Sequence, residues 1–264
     1  MKALIKIGGT LLDSAESRRR LAAEIGQAVQ GGLKAVVVHG GGKQMTRFLA
    51  ERGVESRFVN GLRVTTPDVL DAVLQILAGS VNQELVAAFI ASGAQAVGLT
   101  GMDGLTTEAR LMSPDLGFVG KPIRSDPRLL NQLIQNGYLP VVACVAGDCH
   151  GHFYNVNADQ MAASIGGAFD AQKLFFLTDV EGVWSQNKVI LGSITIDKCK
   201  KLIEQGIAAG GMRAKLEAAI EALRSGVDEV VIAPGGVVGV IDKLLAGGQI
   251  GTRLLAEIGA PSNG

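Results

Sequence analysis

Charge of either sign is not in excess. Over 264 residues, 25 basic side chains face 25 acidic ones and the formal net charge is zero. Nucleic acid is therefore disfavoured as a partner, because binding its backbone needs a basic excess or a basic face. Cysteine is scarce and odd in number. Cys144, Cys149 and Cys199 show no C-x-x-C spacing, which points away from disulfides and zinc and towards a reducing, cytoplasmic setting. Histidine is limited to His39, His150 and His152. Neither H-E-x-x-H nor G-x-S-x-G occurs, so zinc and serine-triad hydrolases have little support. No unbroken apolar run reaches the roughly 18 residues of a membrane span. Residues 1–7 run into Gly8-Gly9 too early for a secretory signal. Two nucleotide signatures are also missing. Gly42-Lys43 continues into Gln44 with Val37 five residues before Gly42, which is not a P-loop, and Gly40-x-Gly42 leads to Met45, which breaks the dinucleotide fingerprint.

What is present is a glycine-rich globular chain. Hydrophobic residues make up 47% and charged residues 19%, which excludes disorder. The length suits one large or two modest domains at roughly 150 residues each. The core can be large enough to need no disulfide or metal staple. Many of the 36 glycines pair up at the ends of apolar runs, where backbone turns sharply or approaches a ligand.

Apolar runs at 3–7, 35–39, 96–99, 139–144, 173–177 and 229–233 read as buried strands. Helical patterns lie between them, at 129–136, 159–169, 197–205 and 212–225. Asp13-Ser14-Ala15-Glu16 resembles a capping box opening a helix that ends near Gly31-Gly32. Thr66-Pro67 reads as a cap and first-turn proline for a helix reaching about residue 92. Near-continuous apolar strands separated by helices imply an α/β fold, with a mainly parallel sheet covered on both faces. Residues 106–122 are less regular and are expected to form hairpins at one edge. A soft boundary falls near 170–173, with both parts sharing one sheet.

Five constellations carry the chemistry. Lys6-Ile7-Gly8-Gly9-Thr10 puts a lysine and two residues without Cβ at the carboxyl end of a strand, where ligands bind in such sheets. A snorkelling lysine beside a structural turn fits the same residues. His39-Gly40-Gly41-Gly42-Lys43 follows another strand, and three glycines favour an anion site at the next helix N-terminus over a mere tight turn. His39 itself also reads as a hydrogen-bonded core residue. Arg63, in Asn60-Gly61-Leu62-Arg63-Val64-Thr65, suits a carboxylate, although a solvated arginine is the default. Asn155-Val156-Asn157-Ala158-Asp159-Gln160 carries more polar side chains than a helix cap requires. Thr178-Asp179-Val180-Glu181-Gly182-Val183-Trp184 could wrap an adenine ring, and Gly210-Gly211-Met212-Arg213-Ala214-Lys215 sets Lys215 about one turn into a helix. Exposed packing of Trp184 and a solvated helix face for Lys215 remain open on these residues alone.

Taken together, six of these segments resemble the amino acid kinase family: K-I-G-G at 6–9, H-G-G-G at 39–42, N-G-L-R-V-T at 60–65, N-V-N-A-D-Q at 155–160, T-D-V-E-G-V at 178–183 and G-G-M-R-A-K at 210–215. They stand in the family's order and span almost the whole chain. The resemblance implies an open three-layer α/β/α sandwich, with residues 1–172 binding the acceptor and 173–264 binding ATP. The implied activity is transfer of the ATP γ-phosphoryl group to the γ-carboxylate of N-acetyl-L-glutamate, with Mg²⁺ accompanying ATP. Lys6 and Lys215 would be the transition-state lysines, organised by Asp159. Gly8 and Gly9 would offer N–H groups to the phosphoryl. Gly41, Gly42, Arg63 and Asn155 would hold the acceptor. Asp179, Val180, Glu181, Gly182, Val183 and Trp184, with Ile207, Ala208, Ala209, Gly211 and Met212, would bind ATP. No metal-ligating side chain is assigned.

The chemistry agrees with the lack of an obvious base. A γ-carboxylate has a pKa of roughly 4.3 and is already ionised at neutral pH. Catalysis is then positioning and charge neutralisation by the lysines, N–H groups and Mg²⁺. The alternatives are a family member acting on another amino acid or a carrier-linked substrate, and a non-enzymatic metabolite sensor. Lys6, Asp159 and Lys215 speak against the sensor. Some arginine-inhibited relatives carry an extra N-terminal helix that builds hexamers. Here the first strand begins at about residue 3, so a homodimer without strong arginine feedback is expected.

Overall fold

The computed structural model describes residues 1–255; residues 256–264, the end of the expected second part, lie outside the described residues. The first half runs β1 (Lys2–Ile7), a 3-10 turn (Gly9–Leu12), α1 (Ala15–Gln30), β2 (Lys34–His39), α2 (Gly42–Ala50), β3 (Phe58–Val59) and β4 (Leu62–Arg63). One continuous rod follows, made of α3 (Pro67–Val73), a π-helical stretch (Leu74–Val81) and α4 (Asn82–Ala91). Next come β5 (Ala96–Thr100), β6 (Thr107–Leu111), β7 (Val119–Ser125), α5 (Arg128–Gln135), β8 (Leu139–Ala143), β9 (Val145–Gly147), β10 (Phe153–Val156) and α6 (Ala158–Ala168). The remainder is β11 (Lys173–Thr178), β12 (Ser193–Thr195), α7 (Ile196–Glu204), α8 (Gly210–Arg224), β13 (Glu229–Pro234), α9 (Val240–Leu245) and β14 (Thr252–Leu255).

Eight strands form one sheet in the order β12-β14-β13-β11-β1-β2-β8-β5. All neighbours are parallel except β13 and β14. Strand periodicity splits the core between two faces. Ala3, Ile5 and Ile7 join Phe175 and Leu177 against α1, α4 and α9, while Leu4, Leu174 and Phe176 face α6 and α8. Each such fully buried side chain contributes about 1.5–3 kcal/mol. Helices on both faces make the three-layer α/β/α sandwich that the strand pattern implied. Lys6, even-numbered like Leu4, is therefore on the α6 and α8 face. β1 pairs with β11 from Ala3↔Lys173 to Ile7↔Leu177, so strands distant in sequence are neighbours in one sheet.

The rod Pro67–Ala91 has 25 residues and begins as expected, with the Thr66 side chain accepting from Val69 N–H and Pro67 in the first turn. Its most apolar stretch has a mean hydropathy of 1.4, enough by length and composition for a membrane span. It is longer than the apolar runs expected from the sequence, because Gln75, Ser80, Asn82, Gln83 and Glu84 interrupt its apolar residues without ending the helix. One side, including Val73, Leu77, Leu85 and Phe89, packs into the core.

Two local expectations need correction. Ser14, not Asp13, caps α1, accepting from Ser17 N–H; Asp13 instead ends the 3-10 turn and pairs with Arg47. Residues 106–122 do contain a hairpin, but β6 and β7 close with β9 and β10 into a separate four-stranded barrel rather than extending the sheet edge. Glycine permits the closure. A Cβ on Gly120 would stand 2.5 Å from Tyr154 Cβ, and one on Gly147 would stand 2.3 Å from Met102 Sδ.

Candidate active site

The site forms where β1 and β2 end in glycine. Gly8 N–H donates to the Leu177 carbonyl at 2.9 Å, which extends the β1–β11 ladder by one residue before the chain leaves the sheet at Gly9. A Cβ on Gly9 would lie 3.0 Å from Gly42 N and 3.3 Å from Gly41 Cα. The two glycine turns thus stack backbone on backbone, a closeness that side chains would prevent. α2 begins at Gly42 without a side-chain cap. Its first N–H groups have no intrahelical acceptor, so they and the helix dipole suit an anion.

Asn157 caps α6, its side-chain oxygen accepting from the N–H groups of Asp159 and Gln160. The neighbouring carboxylate is thereby released from capping. Asp159 Oδ1 lies 2.7 Å from Lys6 Nζ, an ion pair out of line for a hydrogen bond, and its Oδ2 accepts from Lys215 Nζ at 3.2 Å. All three side chains are largely buried, at 8%, 6% and 14% exposure for Lys6, Asp159 and Lys215. Burial pushes the Asp159 carboxyl up, but the two ammonium groups outweigh it and keep the acid ionised. For Lys215, burial and then the Lys6 charge lower the pKa, against the pull of Asp159 and Asp179. Lys6 comes from the first strand and Lys215 from a helix more than 200 positions later, so one carboxylate ties both ends of the polypeptide to one point.

Arg63 is a buried cation whose recorded partners are neutral. Its Nη2 donates to the Gly42 carbonyl at 3.0 Å and to Thr46 Oγ1 at 2.7 Å, its Nη1 donates to Ser56 Oγ, and the Phe58 ring covers the guanidinium. Burial lowers its pKa. Asn155 Nδ2 donates to Thr65 Oγ1 at 3.0 Å. Lys6, Gly9, Gly41, Gly42, Arg63, Asn155 and Asp159 all line one cavity of about 220 Å³, floored by Val73, Leu77 and Met45. Cys144 lines it too, and burial pushes its thiol up to about 12, so it offers no nucleophile. The three cysteines are unpaired.

The residues assigned to the nucleotide are more dispersed. Ala208 and Ala209 line a second cavity of about 400 Å³, which shares Gly61, Leu62 and Asn157 with the first. Asp179 accepts from Thr178 Oγ1 at 3.2 Å and is close enough to Lys215 to feel its charge. Val183 and Ala208 turn their side chains into the core, and their N–H groups are taken by Thr252 Oγ1 at 2.8 Å and by the Leu202 carbonyl at 3.0 Å. Ile207 and Met212 pack against the core, whereas Trp184 makes an antiparallel backbone bridge with Ile190 and leaves its indole 45% exposed. Glu181 lines a cavity with Ile190 and Arg253 on the outer strands. Val180 and Gly182 lie in the loop after β11, and Gly211 is in the first turn of α8.

Sequence reasoning missed three features. Asn60 and Gly61 both have positive φ, at 49° and 79°, and make the tight turn of the β3–β4 hairpin over both cavities. Asn-Gly between apolar residues is the signal that could have found it. Gln160 lines the second cavity with a buried Oε1 that lacks a partner. Gln44 bridges the two glycine turns by donating to the Gly9 carbonyl at 3.3 Å. Gln160 stood inside the polar segment 155–160 without being assigned a role, and Gln44 carries no sequence signal.

Comparison with known proteins gives the same frame. The model of the amino acid kinase family matches residues 1–234. An acetylglutamate kinase of Solibacter usitatus (strain Ellin6076) is 55% identical over 97% of this chain and 99% of its own length. An N-acetylglutamate synthase from Neisseria gonorrhoeae, solved with coenzyme A and N-acetyl-glutamate, superposes with a TM-score of 0.86 at 27% identity, over 97% of this chain and 60% of that one. A Giardia carbamate kinase, 18% identical with a TM-score of 0.69, covers 97% of this chain and 99% of its own and shares the fold. With paired glycine turns at adjacent strand ends and two lysines on one aspartate, the chain belongs to the amino acid kinase family.

Proposed function

We propose that this protein is an ATP-dependent phosphotransferase acting on a carboxylate, an acetylglutamate kinase that makes N-acetylglutamyl 5-phosphate and ADP in arginine biosynthesis. One observation carries the reading. Two ammonium groups share a single buried carboxylate beside a cavity that also contains an arginine with no acidic partner among the described residues. That cationic surplus suits a dicarboxylic acceptor and a nucleotide phosphate, because buried charge is stable only when paired. The relative at 55% identity bears the same activity in its name.

The acceptor lies in the 220 Å³ cavity, with Arg63 and Asn155 holding its α-carboxylate end and the N–H groups of Gly41 and Gly42 holding the reacting γ-carboxylate. No general base is required, since a carboxylate of pKa about 4.3 is already a nucleophile at neutral pH. A carboxylate oxygen bonds to the γ-phosphorus as the bond to the ADP oxygen breaks, and the electron pair leaves on ADP. Both reactants are anions, so the barrier is largely repulsion and misalignment. Lys6 neutralises charge between the β- and γ-phosphates, and Lys215 does so on the leaving side. The N–H group of Gly9 meets an equatorial oxygen, whereas that of Gly8, expected to do the same, is already held by the Leu177 carbonyl and serves as backbone spacing only. Asp159 holds both ammonium groups pointed at one spot. Each such preorganised donor is worth about 3 kcal/mol.

ATP lies along the second cavity and the loops at 179–184 and 207–212, which divides the chain near residues 172 and 173 into acceptor-binding and ATP-binding parts. Mg²⁺ belongs to the MgATP substrate. Among the described residues no three ligating side chains gather for a metal, and Mg²⁺ keeps phosphate oxygens and water as ligands readily. A homodimer is supported by apolar side chains left exposed, such as Ile90 on the long rod at 57% exposure. Unpaired cysteines support a cytoplasmic setting.

A panel of N-acetylglutamate, glutamate, aspartate and N-acetylaminoadipate with ATP tests the reading. ADP formation is expected with N-acetylglutamate far above the others. Preference for another acceptor would reassign the substrate, and no acceptor-dependent ADP at all would leave a metabolite sensor.

A further inference from the structure

One titratable side chain at the site has no part in the chemistry above. His39 ends β2, is fully buried, and directly precedes the three glycines. Its Nδ1 is 2.9 Å from the Gly40 carbonyl oxygen, and its Nε2 is 2.9 Å from Asn82 Nδ2. A carbonyl only accepts, so the proton is on Nδ1. Asn82 Nδ2 also donates to the Val141 carbonyl at 3.0 Å, which fixes that amide's orientation and leaves Nε2 as the acceptor. The imidazole is thus wired in one tautomer. Burial lowers its pKa to about 4, so it stays neutral when the enzyme works.

The consequence lies in the peptide that His39 grips. In a planar trans peptide the carbonyl of one residue and the N–H of the next point in opposite directions. Pulling the Gly40 carbonyl towards the core therefore turns the Gly41 N–H away from it, and Gly41 lines the acceptor cavity. The rod supplies a second restraint on the same segment. A Cβ on Gly41 would be 2.5 Å from Leu77 Cδ2, so Leu77 packs directly on that backbone. Leu77 and Asn82 are five residues apart. In an α-helix they would point about 140° away from each other. The π-helical stretch Leu74–Val81, with hydrogen bonds spanning five residues, brings both to bear on residues 39–41.

We propose that His39 is a positioning residue which, donating to the Gly40 carbonyl and anchored by Asn82, sets the Gly40–Gly41 peptide so that the Gly41 N–H faces the acceptor carboxylate. The inference rests on the acceptor reading given above. It assigns His39 no proton transfer, and its effect is on acceptor binding.

The test compares wild-type enzyme with His39→Leu and His39→Asn, the latter placing an amide nitrogen where Nδ1 stands. His39→Leu is expected to raise the N-acetylglutamate KM about tenfold, as loss of one positioning hydrogen bond would, and to leave the ATP KM within about twofold. His39→Asn is expected to recover most of that loss, which a role confined to packing would not allow. A folded His39→Leu enzyme with unchanged N-acetylglutamate KM, or a His39→Asn enzyme no better than His39→Leu, overturns the proposal. If the leucine variant does not fold, long-range ¹H–¹⁵N NMR of the wild-type protein at neutral pH decides it. The Nδ1–H tautomer is required, and an Nε2–H tautomer or an imidazolium refutes it. Wild-type enzyme that ignores N-acetylglutamate would sink the acceptor reading instead, while the tautomer would still report on His39.

Discussion

Asp159 is the residue on which the site turns. It is buried, yet it carries charge because two lysines reach it from different elements. Removing either lysine leaves the carboxylate half-paired and, in the proposed mechanism, the phosphoryl short of one donor. Lys6→Ala and Lys215→Ala are expected to lower kcat by about 100-fold or more while substrate KM values move little. Steady-state kinetics check this, and wild-type turnover in either variant would remove that lysine from the role. Arg63→Ala is expected to act on binding, raising the N-acetylglutamate KM by about 10-fold or more with a smaller change in kcat. The lowered pKa of Lys215 also has a sign. The ammonium form is the active one, so kcat/KM should fall as pH rises through a value below the ordinary lysine pKa of about 10.4. In Lys215→Arg that alkaline limb should shift upward, because a guanidinium stays charged, and a pH profile of both enzymes would show it.

Among the elements, α6 matters most, because its first turn separates capping from catalysis. Asn157 satisfies the helix N-terminus so that Asp159 need not. Asn157→Ala should cost about 1 kcal/mol of stability, readable in a denaturation midpoint, and should also lower kcat as the Asp159 backbone loosens. An unchanged midpoint would show that another group caps the helix. Most elements were legible because buried parallel strands are unbroken apolar runs, and the strands at 3–7 and 173–177 needed nothing else. The π-helical stretch was not legible, since it keeps the apolar pattern of an α-helix and differs only in hydrogen bonding. The barrel was hidden for another reason: Gly120 and Gly147 reveal why they lack a Cβ only once Tyr154 and Met102 lie against them. Arg63 was legible as an acceptor ligand through the motif order but not from its own segment, because its lack of an acidic partner among the described residues depends on Ser56, Thr46 and Phe58 folding around it.

At the scale of the whole molecule, one sheet brings distant parts of the chain to a common edge. The glycine turns after β1 and β2 and the start of α6 meet at the carboxyl ends of the strands, where such sheets bind ligands. Lys215 arrives from the other half across the β1–β11 seam. Motif order along the chain made this convergence readable, although no motif alone located the second cavity. Light scattering should give a mass of two 27.4 kDa chains, and six would contradict the dimer. The central claim is that these lysines deliver the γ-phosphoryl of ATP to a carboxylate of N-acetylglutamate. Its most direct test is a rapid-quench reaction with γ-labelled ATP and N-acetylglutamate, followed by hydroxylamine. The expected result is label in an acyl phosphate that hydroxylamine converts to a hydroxamate, formed by wild-type enzyme and almost absent in the Lys6→Ala and Lys215→Ala variants. Label released only as inorganic phosphate, or an acyl phosphate formed equally well without either lysine, would contradict the account.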